Sequence, residues 1–296
     1  YDYLNLQQAA LDLHFINQLF KRIYSGKWVS TGISKGGQTA IFYKYFFPND
    51  VDACVSYVAP LTNAFEDARI YSFLDTVGTV ECRTKLKSFQ IRLLENRDEV
   101  ISLLKEYYKE TKRKFTYLSF EQAFEYAVLE YPFSFWQSGG KCKDIPSNSI
   151  SLKNAVRYLC SISPLSFFSD YEIKKLGPHY YQAASELGYY GYRTKDFKGL
   201  LKTLPTNYNP TATFLPNKAL VPFNDFLLRE VHEWLKNNGN RFIYIYGSTD
   251  TWTACAVKPA KNIDSRCFLL EGKNHYNARI AYMNLADHLF HVKAMK

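Results

Sequence analysis

The most informative pattern in this sequence is Trp28-Val29-Ser30-Thr31-Gly32-Ile33-Ser34-Lys35-Gly36-Gly37. An apolar approach leads into the spacing Gly-x-Ser-x-Gly, and the residues after it favour a helix. In a nucleophile elbow of this spacing, a serine lies on a tight turn between a strand and a helix. Glycines on both sides relieve crowding and tolerate unusual dihedral angles. The motif predicts Ser34 as a nucleophile, although a glycine-rich turn at the start of a helix would read the same way.

Length and composition favour a single large domain with a substantial core. The chain has 296 residues, of which 47% are hydrophobic, so it suits one α/β domain or one domain carrying an insertion. The net charge of +9 comes from scattered basic residues. The densest run, Lys112-Arg113-Lys114, follows a Glu/Lys-rich segment typical of a solvated helix face, and no nucleic-acid module accompanies it. We therefore expect no nucleic-acid partner, and no apolar run is long enough to predict a membrane span.

The six cysteines do not indicate a metal site. No Cys-x-x-Cys pair and no close Cys/His cluster occurs, so we expect neither a bound metal nor another cofactor. Cys54 and Cys255 lie in apolar runs and are predicted to be buried free thiols. The others could form disulfides in an exported protein, with the pairing left open. They are Cys82, Cys142, Cys160 and Cys267.

The first part of the chain reads as the unit of a parallel sheet. Apolar spacing predicts a helix, a strand, a second helix and a buried β-branched strand in succession. Strand, helix and strand in this order are typical of an α/β fold. The predicted ranges are 3–24, 28–33, 36–47 and 51–58.

The middle of the chain is predicted to be mainly helical. We interpret residues 62–211 as a helical lid inserted into the sheet domain, which divides the core into residues 1–61 and 212–296. An independent second domain is the alternative interpretation. Ser119 is expected to be the N-cap of one of these helices. The helical patterns cover 82–108, 120–129, 152–162 and 178–187.

Two side chains in the last part of the chain could act with Ser34. Strands are predicted over 241–247 and 267–270, and Asp250 and His275 each follow one of them closely. The carboxyl ends of parallel strands are where α/β sheets place their sites. The order serine, acid, histidine is that of α/β-hydrolases. Helices are expected around these strands, over 225–237, 254–260 and 277–292.

These three residues predict a mechanism of acyl transfer. Ser34 attacks a peptide carbonyl while His275 takes its proton, and Asp250 holds the imidazole tautomer and stabilises the imidazolium. The backbone N–H of Lys35 is expected to be one oxyanion donor, and such a donor is typically worth about 3 kcal/mol of transition-state stabilisation.

Three segments carry a resemblance to a known family. The elbow continues as Gln38-Thr39-Ala40 and is followed by Phe47-Pro48-Asn49-Asp50-Val51-Asp52-Ala53 and Tyr57-Val58-Ala59-Pro60. Together they resemble the secreted bacterial tripeptidyl aminopeptidases of the mycelial type, which are α/β-hydrolase serine peptidases. The segment 180–190 is similar to part of the lid in the related prolyl carboxypeptidase and dipeptidyl peptidase family. The resemblance runs from Tyr3 to the C-terminus.

The resemblance implies an exported exopeptidase, periplasmic, extracellular or on the outer surface, that releases tri- or dipeptides from peptides with a free N-terminus. It assigns Ser34, Asp250 and His275 to the triad. Related sequences often have Asp-Pro-Trp at the acid, whereas this chain has Asp250-Thr251-Trp252. The family also has a long portion before Tyr3 that carries the first strands and an oxyanion-loop donor. We therefore expect the sheet to lack those N-terminal strands in this chain.

Substrate contacts are predicted from the residue types needed at an N-terminus. A carboxylate must pair with the α-ammonium group of the substrate, and Glu186 is the proposed partner. Tyr189 and Tyr190 are expected to line the same pocket. An esterase or carboxypeptidase of the same fold is an alternative function. An inactive truncated hydrolase that acts only as a binding protein is another, and the sequence does not indicate an oligomeric state.

Overall fold

The structure is a computed structural model that describes residues 2–204, 213–215 and 221–283. Over those residues it contains nine α-helices and four β-strands. In chain order they are α1 (Leu6–Phe20), β1 (Val29–Ile33), α2 (Lys35–Phe46), β2 (Ala53–Tyr57), α3 (Arg69–Thr76), α4 (Val80–Glu95), α5 (Arg97–Tyr108), α6 (Phe120–Ser138), α7 (Leu152–Ile162), α8 (Asp170–Gln182), α9 (Phe226–Asn237), β3 (Phe242–Gly247) and β4 (Arg266–Leu270).

The strands form one parallel sheet in the order β1-β2-β3-β4. Because all pairs are parallel, the carboxyl ends of β1, β3 and β4 lie along one edge of the sheet. Every residue of β3 is buried, as expected for a central strand. On β1, in contrast, Val29 and Ile33 are each about half exposed, at 47% and 50%. The mixed α/β fold is confirmed, and it is compatible with an α/β-hydrolase.

The chain divides into two compact units, which we call the sheet unit and the helical unit. The sheet unit comprises residues 1–70, 182–189 and 222–296, and the helical unit comprises residues 71–181 and 190–221. The chain therefore passes from one unit to the other four times. The predicted domain boundaries at residues 61 and 211, and the role of the middle region as a lid, stay predictions.

The core of the sheet unit lies on both faces of the sheet. On one face, residues of α2 and α9 pack against alternate side chains of β3, of which Phe242, Tyr244 and Tyr246 are almost fully buried. Ile243 and Ile245 point to the other face, where they pack with Val55. This alternation follows from the two-residue period of a strand. Helix α2 is thereby fixed on the sheet, and with it the turn that precedes it.

The helical unit is built around α6, most of which is buried. Its N-terminus has the predicted cap: Ser119 accepts from the backbone N–H of Gln122, whose side chain accepts from the backbone N–H of Ser119. A disulfide joins Cys82 on α4 to Cys142. The predicted burial of Cys54 and Cys255 as free thiols is confirmed, and Cys160 and Cys267 are also free. No helix among the described residues combines the length and apolarity needed to cross a bilayer.

Several predicted helices have different bounds in the structure. The helix predicted over 82–108 is two helices, which meet at Asn96. The pattern over 178–187 is the end of α8 followed by a wider turn, Ala183–Leu187, of π-helical type. The range 120–129 is only the first half of α6.

One helix prediction near the site residues is wrong, and a second is wrong over its described part. Instead of a helix over 254–260, a short 3-10 turn spans Thr251–Cys255, because the carboxylate of Asp250 caps it by accepting from Trp252. Of the helix predicted over 277–292, the described part contains only a 3-10 turn at Ile280–Tyr282. The remainder of that prediction, from residue 284, lies outside the described residues.

Candidate active site

Ser34 occupies a turn whose backbone few residues adopt. It follows the last residue of β1 and precedes the first residue of α2, with φ 55° and ψ −124°. This positive φ is unfavourable for a residue other than glycine, so surrounding contacts must hold it. One of them is a hydrogen bond of 2.8 Å from the N–H of Ser34 to the carbonyl of Tyr57, at the end of β2. The side chain of Ser34 makes no capping bond to the helix, which leaves its hydroxyl available for other chemistry.

The glycines around Ser34 differ in how strictly the fold requires them. A Cβ atom at Gly32 would lie 2.2 Å from the carbonyl oxygen of Gly36, and one at Gly37 would lie 2.8 Å from the Cβ of Ala59. Both positions therefore exclude a side chain. A Cβ at Gly36 would meet nothing within 4 Å. The sequence motif thus indicates the correct turn, but its second glycine is Gly36, whereas the backbone needs Gly37.

Asp250 and His275 form a buried hydrogen-bonded pair. The Nδ1 atom of His275 lies 2.7 Å from Oδ2 of Asp250, and the other carboxylate oxygen, Oδ1, accepts from the N–H of Trp252 at 3.1 Å. Asp250 is fully buried and His275 is 6% exposed. Burial raises the pKa of Asp250, while the hydrogen bond and charge of His275 act in the opposite direction. A carboxylate on Nδ1 fixes the imidazole with Nε2 as the free basic atom, which is the tautomer that a general base needs.

The loops that carry Asp250 and His275 are joined by several hydrogen bonds. Thr249 donates to the carbonyl of Lys273 through both its N–H (3.1 Å) and its hydroxyl (2.8 Å), and the N–H of Gly272 donates to the hydroxyl of Ser248. A Cβ at Gly247 would lie 2.3 Å from the carbonyl oxygen of Lys273. Glycine at the end of β3 therefore lets the two loops approach closely enough for the pair to form.

Lys35 and Glu186, the predicted oxyanion donor and substrate anchor, interact with groups of the protein itself. Lys35 is the first residue of α2, so its N–H lies at a helix N-terminus, where the first N–H groups lack intrahelical acceptors. Burial lowers the pKa of the Lys35 side chain, and the nearby charge of Glu186 opposes that effect. Glu186 is itself partly buried, which raises the pKa of its carboxyl, and its Oε1 accepts from the N–H of Leu6 at 2.7 Å. Their roles as oxyanion donor and substrate anchor stay predictions.

The two predicted tyrosines fall in different units. Tyr189 belongs to the sheet unit, pairs with Glu66 in a parallel bridge, and packs its ring on Trp252 at 5.5 Å between centroids. Tyr190 belongs to the helical unit, where its ring stacks on Phe133 at 3.9 Å and its hydroxyl donates to the buried Glu130. A role for either in binding substrate stays a prediction.

A second pair of histidine and carboxylate lies at the other end of α2. The Nδ1 atom of His14 is 2.6 Å from Oδ2 of Asp50, which also accepts from the hydroxyl of Tyr43. Ser34 is at the N-terminus of α2, whereas Asp50 follows its C-terminus, so the His14–Asp50 pair joins α1 to the loop after α2. Among the described residues, no group of three or more His, Cys, Asp or Glu side chains is arranged to hold a metal ion.

Comparison with known proteins assigns this chain to a family. The family model described as PS-10 peptidase S37 matches residues 1–287. The chain belongs to peptidase family S37. This family is one of serine peptidases, and the resemblance to tripeptidyl aminopeptidases is thereby confirmed.

One curated relative within this family covers much of the chain. It is the protein named prolyl tri/tetrapeptidyl aminopeptidase from Streptomyces mobaraensis, which is 31% identical over 279 residues. The match includes 92% of this chain and 58% of the relative. The S37 chain described here therefore spans less than two thirds of the length of that relative.

Sequence reasoning missed the residues that hold the pair in place. Arg279 donates from Nη2 to the carbonyl of His275 at 3.0 Å, and Thr249 joins the two loops. Neither belongs to a recognisable motif, because each acts on a backbone carbonyl whose position depends on the turn around it. The spacing of four residues between His275 and Arg279 is a sequence signal for this contact, but it can be interpreted only once the conformation of the turn between them is known.

Proposed function

We propose that this chain contributes the catalytic centre of a serine exopeptidase that releases short peptides from free N-termini. The observation that carries the proposal is the buried Asp250–His275 pair, at 2.7 Å, on the same edge of the sheet as the turn that holds Ser34. Membership of a serine peptidase family supports the same assignment.

The reaction proceeds in two acyl-transfer steps. The hydroxyl oxygen of Ser34 bonds to the scissile carbonyl carbon while Nε2 of His275 takes its proton, and His275 then gives that proton to the leaving amine. Water attacks the acyl-enzyme by the same route and releases the short peptide as a carboxylate. The N–H of Lys35 donates to the oxyanion in both steps, and Asp250 stabilises the imidazolium.

The substrate class follows from the relative and from one carboxylate. The Streptomyces relative is named as a prolyl tri/tetrapeptidyl aminopeptidase, so we propose peptides with a free α-amine as substrates. Glu186 is the proposed anchor for that amine, because its carboxylate is partly buried and lies in the same unit as Ser34. In this proposal the α-ammonium group of the substrate approaches the carboxylate of Glu186 from the side opposite the N–H of Leu6.

Two further parts of the proposal concern the whole protein. The half-exposed side chains of β1, on an edge of the sheet, support further strands that pair with its outer side. The Cys82–Cys142 disulfide supports an exported location, because such bonds persist in oxidising compartments. The helical unit is proposed to act as a lid.

Covalent labelling tests the nucleophile directly. A fluorophosphonate probe should label full-length protein at Ser34 and should not label the Ser34→Ala variant. Hydrolysis of tripeptidyl and dipeptidyl chromogenic substrates should be lost in the same variant. Folded protein that is not labelled at Ser34 would favour a binding protein without hydrolase activity.

A second experiment separates an aminopeptidase from an esterase or carboxypeptidase. Free and N-acetylated peptides of the same sequence are compared in the wild type and in Glu186→Gln. The proposal expects the wild type to cleave only the free peptide efficiently and the variant to raise KM for that peptide. Equal cleavage of both peptides by the wild type would contradict recognition of the α-amine.

A further inference from the structure

Arg279 bonds to the backbone of His275, contacts the residue that supports Ser34, and acts on Asp250 through its charge. It lies in the turn after β4, four residues beyond His275, and belongs to the sheet unit. Its Nη2 donates to the carbonyl of His275 at 3.0 Å, and its Nη1 donates to the carbonyl of Ala278 at 2.8 Å. These two bonds hold the loop that carries His275 through its backbone carbonyls.

The same guanidinium also reaches the strand beside the nucleophile. It lies over the ring of Tyr57, at 5.6 Å from the centroid, in a cation–π contact. Tyr57 is the last residue of β2, and its carbonyl accepts the N–H of Ser34 at 2.8 Å. One side chain thus connects the backbone of the histidine loop to the residue that fixes the serine turn.

The charge of Arg279 acts on Asp250, the acid of the proposed triad. The carboxyl pKa of Asp250 is raised by burial, and the positive charge of Arg279 is one of the effects that lower it again. Burial also lowers the pKa of Arg279, and the charge of Asp250 opposes that effect. A fixed cation near a buried carboxylate favours the ionised form that must accept from Nδ1 of His275.

We infer that Arg279 is the positioning residue that aligns His275 with Ser34. Arginine suits this role because its planar fork can donate to two carbonyls and stack on an aromatic face at the same time. Lysine would retain the charge but reach only one carbonyl. The inference rests on the proposed function, because alignment matters only if Ser34 and His275 react together.

Two variants separate the charge from the geometry. Arg279→Met keeps the length of the stem and removes both the charge and the donors, whereas Arg279→Lys keeps the charge and can donate to one carbonyl. We expect Arg279→Met to lower kcat by on the order of 100-fold, the loss typical of a small misplacement of reacting groups, with KM changed by less than about threefold. Arg279→Lys should recover part of that loss. Arg229→Met is the matched control, since Arg229 is exposed and forms an ion pair with Asp225, and it should keep wild-type kcat.

Two readouts distinguish positioning from a general loss of structure. The low-field proton resonance of the Asp250–His275 hydrogen bond should shift or broaden in Arg279→Met at a temperature where circular dichroism shows the fold intact. The rate of fluorophosphonate labelling at Ser34 should fall in parallel with kcat. A variant with unchanged resonance and kcat within threefold of the wild type would overturn the inference, as would losses explained by a lower Tm alone.

Failure of the proposed function would look different. If wild-type protein is not labelled at Ser34, the proposed function fails, whereas the proton resonance still reports whether Arg279 aligns the pair. If the wild type is labelled and the Arg279 variants behave like Arg229→Met, only the role of Arg279 is overturned.

Discussion

At the scale of single residues, the backbone conformation of Ser34 costs free energy. A residue other than glycine at positive φ carries strain of about 1–3 kcal/mol, which the contacts of the surrounding fold must offset. Locally, the hydrogen bond to the carbonyl of Tyr57 and the lack of side chains at Gly32 and Gly37 help to offset this strain. The strain keeps the hydroxyl away from its own helix, where serine would otherwise act as an N-cap.

Alanine substitutions at two glycines of the motif should have opposite effects on stability. Gly36→Ala places a methyl group in open space within α2, so the free energy of unfolding should rise by about 0.5–1 kcal/mol. Gly32→Ala pushes its methyl into the carbonyl of Gly36 and should lower the free energy of unfolding by more than that. Urea denaturation of both variants checks the pair. A loss of stability in Gly36→Ala equal to that of Gly32→Ala would contradict the described turn.

Replacing Asp250 by asparagine should abolish activity while changing the pH dependence of stability. Without the carboxylate, the imidazole of His275 is no longer held in the tautomer with a basic Nε2, so kcat should fall by on the order of 10⁴-fold. Burial raises the pKa of Asp250 in the folded state, so the native protein holds more protons than the unfolded chain between the two pKa values. The free energy of unfolding therefore falls as pH rises through that interval, and Asp250→Asn should lack this fall.

Thermal unfolding at several pH values measures the difference between Asp250→Asn and the wild type. The stability of the variant relative to the wild type should improve from acidic to neutral pH. The reverse trend would mean that the carboxylate gains more from His275 than it loses by burial.

At this scale the sequence indicates the proposed triad more readily than the residues that support it. Ser34, Asp250 and His275 could be proposed from their order behind successive strands, and the structure brings Asp250 and His275 together. Arg279 and Gly37 could not be identified, because their roles depend on a backbone carbonyl and on a neighbouring Cβ. Such contacts exist only after the turns have formed.

At the scale of elements, the helices were predicted from periodicity and their ends from caps. The cap at Ser119 could be predicted because a serine directly precedes a helical pattern, and in the structure Ser119 and Gln122 satisfy each other's backbone groups. The break at Asn96 was missed, since apolar spacing continues across it from α4 to α5. The helix expected after β3 was wrong because Asp250 uses its carboxylate on the first turn after the strand.

The disulfide should stabilise the helical unit by restricting its unfolded chain. Cys82 and Cys142 are 60 residues apart, and closing a loop of that length contributes about 4 kcal/mol in the chain-entropy model. The double variant Cys82→Ser/Cys142→Ser should lower the free energy of unfolding by up to that amount. Denaturant unfolding measures the loss, and Cys160→Ser is the control, since Cys160 is a free thiol. Equal stability of the double variant and the wild type would contradict the bond.

At the scale of the whole molecule, β1 provides a test of the proposed additional strands. In a parallel pair about half of the N–H groups of β1 point away from β2 and need other acceptors. These amides should resist hydrogen exchange in the full-length protein and exchange quickly in a protein limited to residues 1–296. Amides of β3 should be protected in both, because β3 has a partner on each side. Fast exchange in both proteins would exclude a strand on the outer side of β1.

The α/β class could be predicted from the sequence because strand and helix patterns alternate in the first part of the chain and strand patterns return in the last part. The division into units was harder to predict. Residues 182–189 return to the sheet unit between two parts of the helical unit, and their composition does not differ from that of their neighbours. Membership of a compact unit is decided by packing partners far away in sequence, which periodicity does not report.

The order of the sheet also determines when a newly made chain can become reactive. Pairing of β2 with β3 joins residues 54–57 to residues 242–245, so the sheet is not completed until the whole helical unit has been synthesised. At a translation rate of about 5–20 residues per second, that delay lasts on the order of ten seconds or more. Ser34 is synthesised before Asp250 and His275, which follow only after the helical unit. The proposed nucleophile is therefore without its proposed base during this interval, so the proposed triad assembles only after the sheet has been completed.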